Sequence, residues 1–143
     1  MNSSLRISAS GLTAQRIRLD VIANNLANAE TVQTAEGGPY RRQMVVFAAR
    51  GATDASGLTA DALRPTESEG VEVADIVQDP SPLRTVYQPG HPLADANGNV
   101  SYPNVNAVVE MVDLMSATRA YEANVAAINA AKSMTAKALD ILR

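Results

Sequence analysis

Leu5, Leu12, Leu19 and Leu26 recur every seven residues near the start of the chain, and Leu114, Tyr121, Ile128 and Leu142 keep the same period near its end. Every proline, from Pro39 to Pro103, falls between these two stretches. An apolar residue at each seventh position packs helices along a seam, whereas proline lacks the amide donor that a helix interior needs. The ends are therefore expected to pair as helices and the middle to fold as one continuous insert. This predicts an α+β chain, mainly α, with the terminal helices in a coiled-coil-like hairpin around a β-rich, loop-rich centre. The expected boundaries are an N-terminal helix within 1–30, a central region over 31–104 and a C-terminal helix within 105–143. Such a plan places function in association, not catalysis.

Composition supports that direction. Of 143 residues 46% are hydrophobic, but there is one Phe and no Trp, so Ala and β-branched side chains must fill the core. A net charge of -3, with no basic stripe, gives no attraction to phosphate backbones, which argues against nucleic acid or an anionic membrane as the main partner. With no cysteine there are no thiolate zinc sites and no disulfides. No stretch is apolar without interruption, so neither a cleavable signal peptide nor a transmembrane helix is expected.

The first helix should begin near Asn2 to Ser4, which are good N-cap types, and run to Asn28 or Ala29, with Gly11 its weak point. On a helical projection the Leu stripe, with Ala9, Ile22 and Ala23 beside it, takes one side, and Ile7, Ala14, Ile17 and Val21 take another. The last helix should fill the stretch free of Gly and Pro between Asn106 and Leu142. Its heptad core reads Met111, Leu114, Tyr121, Val125, Ile128, Leu139 and Leu142, interrupted by Thr118, Lys132 and Thr135. Ala120, Ala123, Ala127 and Ala130 form a second row where a solvated helix more often carries long charged side chains. The expectation is that Leu12, Leu19 and Leu26 pack mainly on Tyr121, Val125 and Ile128, while Ile17, Val21 and the Ala row meet other molecules.

In the middle, Tyr40 to Phe47, Val71 to Gln78 and Leu83 to Tyr87 have the β-branched, alternating texture of strands. Asn97-Gly98 marks a tight turn, and Gly51 to Arg64 reads as a mobile loop. Residues that could carry chemistry are few. His91, between two prolines, suits a turn better than catalysis. Asp95, Asn97 and Asn99 begin like a calcium loop, but the glycine comes at Gly98 and Asn106 stands where the bidentate Glu belongs. Glu67, Glu69 and Glu72 read as a solvated face, and Arg41 and Arg42 as outward residues on an edge strand. No phosphate-binding glycine motif is present. No catalytic, metal-binding or cofactor-binding residue is expected, and no small-molecule substrate.

Asn24, Asn25 and Asn28 are the more informative polar group, because asparagine is unfavourable inside a helix. Asn24 and Asn28 share the side opposite Leu26, where they could cap the helix end, bind an adjoining element, or both. SASGLTAQRIRLDVIANNLANAET resembles the N-terminal signature of bacterial flagellar basal-body rod proteins. VNAVVEMVDLMSATRAYEANVAAINAAKSMTAKALDI resembles the C-terminal helix of the same axial family. GGPYRRQMVVF, VYQPGHPLADANGNV and SYPNVN are most similar to its short proximal rod members, although Gly98-Asn99-Val100 stands where relatives often read Gly-Tyr-Val.

The resemblance implies a subunit of the rod that crosses the periplasm and carries torque, exported by the flagellar type III apparatus without signal cleavage. The expected partners are copies of itself, other rod proteins, the rod-to-membrane-ring adaptor and that export apparatus. It also implies paired terminal helices around an export channel, with the β-rich part further out. Leu12, Asn24, Asn25, Asn28, Arg119, Tyr121, Glu122 and Asn124 match family signature positions. Together with Ile17, Leu19, Val21, Leu26, Ala120, Ala123, Val125, Ala127 and Ile128 they form the expected assembly interface.

Overall fold

A computed structural model describes residues 2–35, 37–50 and 70–141. The Gly51 to Arg64 loop, Glu67, Glu69 and Leu142 lie outside those residues. The element order is α1 (Asn2–Ala27), β1 (Gln43–Ala49), β2 (Val71–Gln78), β3 (Arg84–Tyr87), β4 (Asn99–Tyr102) and α2 (Ala107–Ile141). Two long helices thus enclose two antiparallel ribbons, as the proline distribution requires.

α1 stops where asparagine can close it. The Asn28 side-chain amide returns to the backbone and side-chain oxygens of Asn24, at 3.0 and 2.9 Å, so this pair serves as the exit turn. α2 starts at an N-cap: Asn106 Oδ1 accepts the amides of Val108 and Val109 at 3.0 and 3.4 Å. From there it runs 35 residues, about 52 Å at the helical rise.

β1 and β2 pair antiparallel, with a bulge that sets Val46 against Asp75 but Phe47 against Val73. β3 and β4 form a second ribbon, Arg84 facing Tyr102 and Tyr87 facing Asn99. β4 has no counterpart among the strands expected from the sequence; it is four residues, Asn-Val-Ser-Tyr, directly after the Asn97-Gly98 turn. Gly98, at φ +79°, supplies the left-handed turn between the strands. Asp95 Oδ1 accepts the amides of Asn97 and Asn99, both at 2.8 Å, so the calcium-like stretch is an Asx turn. His91 likewise uses Nδ1 to accept the Leu93 amide at 3.1 Å.

The helices run antiparallel, and three pairs fix their register. Gly11 lies against the Asn124 side chain, Arg18 Nη2 is 3.4 Å from Asp113 Oδ1, and Asn25 Nδ2 donates to Glu110 Oε2 at 3.1 Å. Gly11 and Asn25 are two heptads apart, as are Glu110 and Asn124. A Cβ at Gly11 would stand 3.1 Å from both terminal atoms of Asn124, so glycine here is a close-approach residue. By this register Asn2 falls opposite Ser133, and α2 from Met134 to Ile141 extends beyond the start of α1.

The β1–β2 ribbon lies along α1. At one end Ser10 Oγ accepts the Val71 amide at 3.0 Å and donates to the Ile7 carbonyl at 2.7 Å. At the other end Asn25 joins Gln43. Ala14, Val21, Ile22 and Ala117 are the buried apolar residues of this helix–ribbon core, and Ser10, Asn25 and Glu110 are buried with them.

Candidate assembly interface

A seam between two helices is normally made of Leu and Ile, yet this one is small and polar. Gly11, Arg18 and Asn25 of α1 meet Asn124, Asp113 and Glu110 of α2. Its centre is Asn25, 1% exposed, with all four side-chain hydrogen-bonding positions filled. Nδ2 donates to the Gln43 carbonyl at 2.8 Å and to Glu110 Oε2; Oδ1 accepts from the Gln43 amide and from the Tyr40 hydroxyl, both at 2.9 Å. One side chain therefore ties α1 to the entry of β1 and to the first turn of α2.

Glu110 is fully buried and balanced by Arg42, whose Nε lies 2.6 Å from Oε1. The same guanidinium reaches Asp113 Oδ2 at 3.4 Å and Asp79 Oδ2 at 3.6 Å. Burial pushes the Arg42 pKa down, but the hydrogen bond to Glu110 and the three nearby carboxylates outweigh it, so the net shift is upward. Burial, then the negative charge of Glu110, raises the Tyr40 phenol and keeps it a neutral donor. Asp79 is held below its ordinary value by the Ser81 hydroxyl and amide and by Arg42. Asn104 closes the cluster, accepting the Arg42 amide at 2.9 Å and donating to the carbonyls of Asp79 and Ser81 at 3.3 and 3.2 Å. The fit of these groups to one another makes this a clamp between three parts of the chain.

The clamp corrects three expectations. Arg42 is not an outward edge-strand residue, because its guanidinium turns onto the helices; Arg41 donates to the Asp79 carbonyl at 3.4 Å. Val21 is 8% exposed, on the side of α1 that carries the β1–β2 ribbon, so it is covered within the subunit, while Ile17 stays half-buried at the open cleft between α1 and β2. The Leu repeat is not the centre of the seam either. Leu12, Leu19 and Leu26 are only half-buried, and at about 100° per residue they sit roughly a quarter-turn from the Gly11–Arg18–Asn25 line.

That rotation has a consistent sense. Leu12, Leu19 and Leu26 fall on the side of α1 opposite the ribbon, and Leu114, Tyr121 and Val125 fall on the same side of α2. The heptads read from the sequence thus edge one apolar face of the two-helix layer, with Leu114, Val125 and Ile128 half-buried and Tyr121 36% exposed. Among the described elements α1 touches α2, β1 and β2, whereas α2 touches α1 alone. Val108, Met111, Val112 and Met115 are more than half exposed on the outer side of α2. In the Ala row Ala120 is half-buried, and Ala123, Ala127 and Ala130 are exposed. Arg119 and Glu122 are exposed, Asn124 packs on Gly11, and Asn24 and Asn28 form the exit turn. A helix apolar on nearly every side is normally covered on every side. No helix among the described residues is long and apolar enough to cross a membrane.

Sequence comparison identifies the setting in which α2 lies. Residues 5–32 match the family of flagella basal body rod proteins, and residues 96–141 match the C-terminal domain of the flagellar basal body rod FlgEFG proteins. The flagellar basal-body rod protein FlgC of Borreliella burgdorferi is 49% identical, over 99% of this chain and 97% of that protein. The chain belongs to the FlgC family of proximal rod proteins. FlgC proteins of Escherichia coli O6:H1 and Bacillus subtilis are each 47% identical, the first over 94% of this chain and 92% of its own length, the second over 96% and 95%. A FlgC-family chain is a structural subunit of the flagellar basal body, not an enzyme.

The sequence reading missed Tyr40, Arg42, Asn104, Glu110 and Asp113. One signal was available: Glu110 is a lone carboxylate in the apolar run Val108 to Val112, four residues after a cap. An acid there needs a buried cation, and Arg42 is the cation that the fold delivers.

Proposed function

We propose that this subunit polymerises in the periplasm into the proximal part of the drive shaft, its helical layer surrounding the export channel and its ribbons further out. The chain would reach that place through the flagellar type III apparatus without signal cleavage. Its neighbours would be copies of itself, other rod proteins and the rod-to-membrane-ring adaptor. The observation that carries this reading is α2: it is apolar on nearly all sides and covered on one. Contacts between unlike faces of successive subunits do not close on themselves and so propagate a helical array. Many such contacts share a torsional load.

The interface we propose uses Leu12, Leu19, Leu26, Tyr121, Val125 and Ile128 on the face away from the ribbon, and Ala120, Ala123, Ala127, Arg119 and Glu122 on the rest of α2. Asn25 and Val21 act inside the subunit by presenting those faces. Deleting the gene should abolish swimming and hook assembly, and restoring it should recover both. Normal hooks in the deletion strain would overturn the rod reading.

A further inference from the structure

The outward face of α2 carries large apolar side chains and two charges, and the outward face of α1 carries small side chains and two opposite charges. On α1, Arg16, Asp20 and Ala23 are exposed within an arc of about 60°, turned well away from α2. On α2, Glu122, Arg119 and Met115 are exposed within an arc of the same width, turned well away from α1. Neither charged pair is engaged in an ion pair among the described residues of its own chain.

We infer that the outward face of α1 of one copy docks antiparallel on the outward face of α2 of the next. This rests on the rod reading and names the partner as a second copy of this chain. Set antiparallel, Arg16 meets Glu122, Asp20 meets Arg119 and Ala23 meets Met115, with the three pairs agreeing in register to about 1.5 Å along the axis. Opposite charges therefore face each other at two successive turns, and the large Met115 meets the small Ala23 at the third. The register is close to that of the internal pair, so the array repeats a nearly constant α1–α2 contact between and within subunits. Both arcs lean to the side away from the β1–β2 ribbon. Successive copies consequently turn toward that side, which puts the β1–β2 ribbons on the convex surface.

The chain has no cysteine, so a single pair can be introduced on a clean background. The doubly substituted A23C, M115C chain, expressed in place of the wild type and oxidised in purified basal bodies, should give covalent dimers and higher multiples of itself. Each single substitution should give none. Separately, Asp20→Arg and Arg119→Asp should each lower the yield of basal bodies by about tenfold, because like charges then face each other. The two reversals combined in one chain should restore it. That rescue requires both residues to meet in contacts between copies of one gene product, and it also controls for misfolding of either single variant. Absent dimers in motile A23C, M115C cells, or no rescue by the double reversal, would overturn the inference. Neither result would touch the rod reading, which falls only if deletion leaves hooks intact.

Discussion

The two helices resemble each other in sequence texture but have opposite situations in the fold. α1 is packed on two sides, by α2 and by the β1–β2 ribbon, whereas α2 is packed on one. The packed sides hold small and polar residues together with Val21 and Ile22, and the open side of α2 holds Met and Val beside Ala and charged residues. The contrast teaches that the pairing of the helices rests on polar contacts as well as on apolar burial, and that much of the apolar surface of α2 stays exposed in the single chain. Within the subunit, a hydrogen-bonded clamp fixes which faces meet.

The comparison breaks most readily at Arg42. Replacing it with Met leaves Glu110 buried without a counter-ion and should lower monomer stability by about 3–5 kcal/mol, measured by urea unfolding. A loss under 1 kcal/mol would mean that the clamp does not hold the helices to the ribbon. Asn25→Ala removes four hydrogen bonds at once but no charge, and should cost about 2–3 kcal/mol by the same measurement.

On the seam, Gly11→Leu should overpack the Asn124 contact and cost about 1–3 kcal/mol. Gly11→Ala should stay within about 0.5 kcal/mol of wild type, since its gain in helix propensity is offset by displacement of Asn124. On the open side, Val112→Ser should change monomer stability by less than about 0.5 kcal/mol, yet reduce incorporation into basal bodies. A stability loss as large as that of Asn25→Ala would show that the outer face of α2 is covered within the chain.

The smallest effect concerns acid. Asp79 has a folded pKa below its unfolded value, so its stabilising contribution is present above the unfolded pKa and is lost as pH falls through the folded one. Asp79→Asn should therefore flatten the fall of stability below about pH 4. A titration curve unchanged by the substitution would remove Asp79 from the clamp.

Much of the fold was legible in the chain because its signals are local. Proline and glycine punctuation separated helices from insert, alternation marked β1, β2 and β3, and Asn97-Gly98 marked the turn before β4. The family followed from the terminal signatures, and matching relatives cover nearly the whole chain. The phase of the helical seam was not legible. Heptad reading assigns the seam to the largest apolar residues, but a two-helix layer has several faces, and periodicity gives their spacing without saying which face turns inward. Asn25 and Glu110 decide that, and they lie 85 residues apart in sequence.

The sequence by itself determined the helices, their length and their repeat, because these depend on neighbours within a few residues. Only the tertiary structure decided their rotation. A buried carboxylate must find a cation and a buried amide must find four partners, and the arrangement that satisfies Glu110, Arg42 and Asn25 together turns the Leu repeat to the edge of the seam, half-buried on the side away from the ribbon.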